Sequence, residues 1–80
     1  MKSVRVRYFA LLREQRGLDE ETVATTAGSA SELYEELRAR HGFALGAERL
    51  RVAINDSFAP WEAPLTDGDA LVFIPPVAGG

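Results

Sequence analysis

Thr66-Asp67-Gly68-Asp69-Ala70-Leu71-Val72-Phe73-Ile74 reads as a tight polar turn that delivers the chain into an unbroken apolar run. Such a run, bounded by turn residues, fits a strand flanked by neighbours and covered rather than an alternating strand with one wet face. The larger pair, Leu71 and Phe73, suits the core, which leaves Val72 and Ile74 pointing outward. Asp67 and Asp69 flank Gly68 and are read as holding the turn through side chain to backbone bonds. Because the run comes last, it has to enter a sheet whose other strands precede it.

Working outward, Val4, Val6 and Tyr8 alternate with Arg5, Arg7 and Phe9, the period of a strand with one covered and one open face. Leu11 to Arg16 favours a helical turn closed by Gly17, and Glu21 to Thr26 is β-rich, so the two strands form a hairpin with a wide connection. Ser29 starts a helix, accepting from the backbone N–H near Glu32 while the Glu32 side chain reaches back to the Ser29 N–H. Ala30, Leu33, Tyr34 and Leu37 form its apolar stripe, and Gly42 ends it. His41, in the last turn, is assigned to the negative end of the helix dipole when protonated. Leu50, Val52 and Ile54 alternate with Arg49, Arg51 and Ala53 in a third strand, and Asn55-Asp56 is a turn. Ser57-Phe58-Ala59 is an edge piece. Pro60 and Pro64 deny the next stretch a ladder, making Ala59 to Leu65 a surface crossing with Trp61 folded over the core.

The order ββαβ(β)β, with one main helix crossing one face of a mixed sheet, defines an α+β roll. A central last strand after a crossover helix fits a β-grasp arrangement, with the first and last strands side by side and parallel. The domain spans residues 1–74, and residues 75–80 form an extended C-terminal tail.

The chain has 80 residues, no cysteine, one histidine and a net charge of -3. One small domain follows, burying roughly 60% of its unfolded surface, too little to enclose a deep active site. Without cysteine there is no disulfide framework, zinc-thiolate site, iron–sulfur cluster or thiol nucleophile. With no apolar run of membrane length and no signal-peptide pattern, the expected location is cytoplasmic, without a membrane partner. The acidic balance argues against a nucleic-acid partner, whose domain is usually basic. No Ser/His/Asp set, phosphate-binding glycine loop or metal-ligand cluster is found, so no metal is expected. Asp19, Glu20 and Glu21 are consecutive and are read as a solvated turn.

The end, Ile74-Pro75-Pro76-Val77-Ala78-Gly79-Gly80, changes composition abruptly. Two prolines stop the strand and favour an extended path. The residues after Ile74 reach up to about 20 Å from the sheet when fully extended. Side chains shrink toward the tip, as suits a tail threaded into a narrow channel. The Gly80 α-carboxylate is the candidate reactive group: activated as a mixed anhydride with a nucleotide phosphate, it can be attacked by a sulfur nucleophile to leave a thiocarboxylate. On the open sheet face, Phe9, Val72 and Ile74, with Phe58, are rimmed by Arg5, Arg7, Arg49 and Arg51, an interface composition.

These residues resemble the small, sulfur-carrying subunit of molybdopterin synthase, within the ubiquitin-like β-grasp sulfur carriers. The matches are Phe9-Ala10 with Leu12-Arg13-Glu14, then Val52-Ala53-Ile54-Asn55, and Leu65 to Asp69 running through Phe73-Ile74-Pro75-Pro76-Val77-Ala78-Gly79-Gly80. The resemblance implies that an ATP-using, ubiquitin-activating-like enzyme adenylates Gly80 and a sulfur donor protein converts it to a thiocarboxylate. It implies that Pro75, Pro76, Val77, Ala78 and Gly79 insert into the large synthase subunit, in a heterotetramer of two large and two small subunits. There sulfur passes to cyclic pyranopterin monophosphate to form the molybdopterin dithiolene. Phe9, Phe58 and Ile74 match contacts to the large subunit. The chain itself would bind no cofactor and have no turnover alone. The rivals are a carrier for thiamine synthesis or tRNA thiolation, a ubiquitin-like protein modifier, and an interaction module with an idle tail.

Overall fold

The structure, a computed structural model, describes residues 1–76. In chain order it comprises β1 (Lys2–Tyr8), α1 (Ala10–Arg16), β2 (Glu20–Thr25), α2 (Ala30–His41), a 3-10 turn (Ala47–Arg49), β3 (Arg51–Ile54), β4 (Ser57–Ala59) and β5 (Ala70–Ile74). The sheet order is β2-β1-β5-β3-β4. β5 runs parallel to β1 and antiparallel to β3, while β1 with β2 and β3 with β4 are antiparallel pairs. The last strand is therefore central, and the mixed sheet with α2 across one face is the ubiquitin-like β-grasp expected from the element order.

Register explains the core. Val6 lies beside Leu71, which faces Ile54; Tyr8 lies beside Phe73, which faces Val52. These rows meet Leu33, Tyr34 and Leu37 of α2 in one buried cluster. Tyr34 is its centre, edge-on to Phe73 at 5.1 Å, parallel to Phe43 at 6.1 Å and tilted against Trp61 at 5.8 Å. Its hydroxyl donates to the Leu45 carbonyl, so this buried phenol is satisfied. Trp61 also stacks on Phe73 at 5.9 Å, so the crossing segment covers the core as its sequence suggests.

Turns fasten the strands. At Asn55 and Asp56 the φ angles are +51° and +71°, a two-residue connection that joins Ile54 to its partner Ser57. The Thr66 to Asp69 turn is tied more widely than a local turn requires. Asp67 accepts from the Ser3 N–H at 2.7 Å, and Asp69 accepts from the Thr66 N–H at 2.8 Å and the Asn55 amide at 3.0 Å. The Asn55 side-chain carbonyl in turn accepts from the Ala70 N–H at 3.0 Å. Gly68, at φ +90°, occupies backbone space that a side chain would strain, and its N–H donates to the Ser3 carbonyl.

Several readings need correction. Ser29 does cap α2, accepting from the Glu32 N–H at 3.2 Å, but the Glu32 carboxylate meets the Ser29 hydroxyl rather than its N–H. The free N–H groups of Ala30 and Ser31 are taken by the Ala63 and Trp61 carbonyls. As Pro60 and Pro64 predict, the crossing segment joins no ladder, and Pro64 makes only a single bridge. It sits in an isolated bridge opposite Ser29, because the pairing uses the neighbouring Leu65 N–H and Ala63 carbonyl and needs no proline N–H. Ala53, read as outward and open, is only 9% exposed because Phe58 and Val72 lie on either side of it across the sheet.

The acidic run is also no simple solvated turn. Glu21 joins four elements: it accepts from the Tyr8 hydroxyl at 2.6 Å and from Arg16 Nε and Nη2 at 2.9 and 2.8 Å, with His41 Nε2 at 3.9 Å. The bidentate Arg16 contact, with the Tyr8 hydrogen bond, holds the Glu21 carboxyl down at about 2 against the opposing effect of burial. Burial, then the hydrogen bond to Glu21, pushes the Tyr8 phenol up. Burial, then Arg16, lowers the His41 imidazole, which packs on Phe43, so its protonated form is disfavoured where the sequence placed it at the helix end.

A depressed carboxyl pKa stabilises the fold above the unfolded value of 4.5 and is lost as pH falls toward about 2, because the unfolded chain binds its proton first. With the Glu21 side chain 17% exposed, this contribution is up to about 3 kcal/mol. Denaturant titrations between pH 5 and pH 2 should show stability falling steeply in the native chain and a shallower fall in Glu21→Gln. Equal slopes would remove Glu21 as the acid-sensitive group.

Candidate functional site

The sheet face away from α2 is built by register. Arg7 lies beside Val72, Val72 faces Ala53, and Ala53 faces Phe58, so one row crosses four strands. In the next row Ile74 faces Arg51. Phe58, on the edge strand β4, is 66% exposed, and the Arg51 guanidinium lies 5.6 Å from its ring centroid. That stacking holds a long cationic side chain over an apolar ring. Val72 and Ile74 are half-buried between their neighbours.

The arginines do not form one ring. Glu20 projects from β2 between Arg5 and Arg7, at 3.7 and 3.8 Å, and offsets both locally. The sequence reading missed Glu20 because only cross-strand pairing, Glu20 opposite Arg7, reveals it. Arg49 is not on the third strand; it closes the 3-10 turn before it. From there it lines a groove of about 410 Å³ with Arg51, Phe58, Ile74, Pro75 and Pro76. This groove lies where β5 leaves the sheet, at the root of the tail. Glu48 and Leu50, which the sequence did not single out, share its wall.

Phe9 stands apart from that groove. β1 ends at Tyr8, and Phe9 becomes the residue preceding α1. It is 42% exposed and lines a different hollow with Arg13 and Asp19. The next residue, Ala10, has φ +51°, a left-handed conformation that costs a non-glycine residue roughly 1 kcal/mol. The strained corner turns the chain sharply from β1 into α1 beside an exposed aromatic ring. On this face Phe58 and Ile74 line the groove, Val72 lies in the middle beside Arg7, and Phe9, still extended at φ -128°, continues β1 past Tyr8, whose neighbour on β5 is Phe73.

Pro75 and Pro76 follow β5 directly and add nothing to its ladder. The assignments to Val77, Ala78, Gly79 and Gly80 lie outside the described residues. Among the described residues no group of three His, Cys, Asp or Glu side chains is placed to hold a metal ion, and no helix is long and apolar enough to cross a membrane. What the described residues offer is an exposed sheet face with an apolar centre and a central strand that runs directly into Pro75 and Pro76.

Comparison with known proteins places this geometry. The chain is 36% identical over 80 residues to the molybdopterin synthase sulfur carrier subunit of Escherichia coli, covering 96% of this chain and 99% of that one. A solved complex of subunits 1 and 2 of molybdopterin-converting factor from Helicobacter pylori contains a chain 29% identical to this one, with a TM-score of 0.68, covering 98% of this chain and 99% of that one. Small archaeal modifier protein 1 from Methanosarcina acetivorans matches with a TM-score of 0.80 at 25% identity, covering 100% of this chain and 98% of that one. The model of the ThiS family matches residues 6–80. With that match spanning nearly its whole length, the chain belongs to the ThiS family.

Proposed function

We propose that this chain is the small, sulfur-carrying subunit of molybdopterin synthase. The observation that carries this reading is its end-to-end likeness to the Escherichia coli sulfur carrier subunit. A central strand that runs straight into Pro75 and Pro76 is consistent with it, since the chain end is then anchored by the most buried strand of the sheet.

In this reading the Gly80 carboxylate attacks the α-phosphate of ATP on a ubiquitin-activating-like enzyme, and pyrophosphate leaves. Sulfide then adds to the acyl carbon and AMP departs, leaving a thiocarboxylate. Glycine at that carbon offers the least hindrance to attack. Pro75, Pro76, Val77, Ala78 and Gly79 form the stalk that enters the large subunit, while Phe58, Val72, Ile74 and Phe9 make the apolar contacts around it. Sulfur passes there to cyclic pyranopterin monophosphate, and successive carriers build the dithiolene. The Helicobacter pylori complex supports a large-subunit partner; the activating enzyme and a sulfur donor protein complete the cycle, which takes place in the cytoplasm. This chain positions and delivers, and the groups that catalyse transfer lie on its partners.

The likeness to the Methanosarcina acetivorans modifier favours a second reading, a tag joined to protein lysines. The two differ in outcome: a carrier forms a stable complex with the large subunit, whereas a tag forms isopeptide bonds to other proteins.

Incubation with the activating enzyme, ATP and sulfide should raise the intact mass by about 16 Da, one oxygen exchanged for sulfur. An unaltered mass alongside an enzyme that charges its own known carrier would refute the proposal. Deleting Gly79 and Gly80 should abolish charging while leaving the melting temperature within about 2 °C, because the buried cluster ends at Phe73. Phe58→Ala removes an exposed ring from the docking face and should weaken the large-subunit complex about tenfold without changing stability. Native affinity in that variant would take Phe58 out of the interface.

A further inference from the structure

The two arginine pairs of the outer face differ in their surroundings. Arg5 and Arg7 share the single carboxylate of Glu20, which draws both side chains toward β2 and offsets part of their charge. Arg49 and Arg51 make no ion pair among the described residues. Glu48 shares their groove, but its carboxylate folds back against the Gly46 backbone, where it occupies the space a Gly46 side chain would take. Arg51 is held over the Phe58 ring, which limits the rotamer entropy lost when it binds. A chain with net charge -3 thus holds two arginines without a direct ion pair beside Pro75 and Pro76 and the apolar surface of Phe58 and Ile74.

From this we infer that Arg49 and Arg51 read an acidic rim on the large subunit, a set of carboxylates around the mouth of the pocket that takes the tail. The inference rests on the proposed carrier function and specifies the chemistry of its partner. The cations lie beside the first residues of the stalk, so carboxylates around the mouth would meet them as the tail enters. Charges at the rim of an interface act mainly on encounter and orientation, raising the association rate and excluding surfaces of the wrong sign. Here they would aim the tail at its opening before the apolar contacts close. Phe58 would supply the contact and Arg51, stacked on it, the steering, which links the two functions through one pair of side chains.

The test is stopped-flow association of the purified chain with its own large subunit, comparing Arg49→Gln/Arg51→Gln, Arg49→Lys/Arg51→Lys and Arg40→Glu. The last removes the same net charge as the first but lies on α2, paired with Glu36 on the opposite side of the molecule. At about 50 mM salt the glutamine pair should associate roughly tenfold more slowly than the native chain, with the lysine pair within about threefold and Arg40→Glu within about twofold. At about 0.5 M salt, where screening is nearly complete, the native and glutamine-pair rates should converge to within about twofold. Native association by the glutamine pair at low salt, an equal loss in Arg40→Glu, or a deficit that persists undiminished at high salt would overturn the acidic rim while leaving the carrier reading intact. Failure of the native chain to bind the large subunit at all would overturn the carrier reading and this inference with it. Thermal melts of each variant separate misfolding from lost steering.

Discussion

β5 uses both of its edges, hydrogen-bonding to β1 on one side and β3 on the other, and the rest of the molecule is arranged around that double commitment. A strand in this position has no edge to offer water, so its side chains are set by what lies above and below it. Leu71 and Phe73 are fully covered by α2 and the aromatic cluster around Tyr34. Full burial of a side chain such as Phe73 is worth about 2–3 kcal/mol. The polar ties at the preceding turn fix where β5 begins, because Asp67 holds Ser3 of β1 while Asp69 and Asn55 join the start of β5 to the β3–β4 turn. A one-residue slip would send Phe73 to the outer face and bring Val72 into the core.

The same insertion separates the molecule into a packed side and an exposed side. On the packed side, Glu21 ties Tyr8 of β1, Arg16 of α1 and the end of α2 into one polar cluster, so α1 is held by charge-assisted bonds as well as by Leu12. On the exposed side, Phe58 is covered only in part, by the Arg51 guanidinium, and the apolar row through Val72 and Ala53 ends at that ring. The central strand backs this face rigidly, and Pro75 and Pro76 continue directly from that strand rather than from a loop.

Charge on the exposed face is divided by the same topology. β2 lies next to β1, so Glu20 reaches Arg5 and Arg7; no acidic strand lies beside β3, so Arg51 and the neighbouring Arg49 keep their charge for other contacts. The four arginines are equivalent in a count of residues and different in the folded chain. An exposed pair such as Arg7 with Glu20 adds little stability. Its larger effect is to offset part of the charge that Arg5 and Arg7 bring to that edge of the sheet.

Local rules were enough for much of the architecture. Period-2 alternation in Val4 to Tyr8, the Ser29 cap, the Asn55-Asp56 turn and the apolar run at Ala70 to Ile74 each carry their physical cause within a few residues, so strands, main helix and the central place of the last strand are legible in the sequence. The double proline marks the end of β5 equally locally. What tertiary structure alone decided are the relations between distant residues. Glu21 became a shared acceptor rather than a solvated turn because folding brings Arg16, Tyr8 and His41 to it, and Ala53 was covered by side chains from two other strands. Phe9 came to line a hollow with Arg13 and Asp19 because the chain turns at Ala10 into α1. Pairing across a sheet depends on register over the whole chain, and no window of neighbouring residues contains that information.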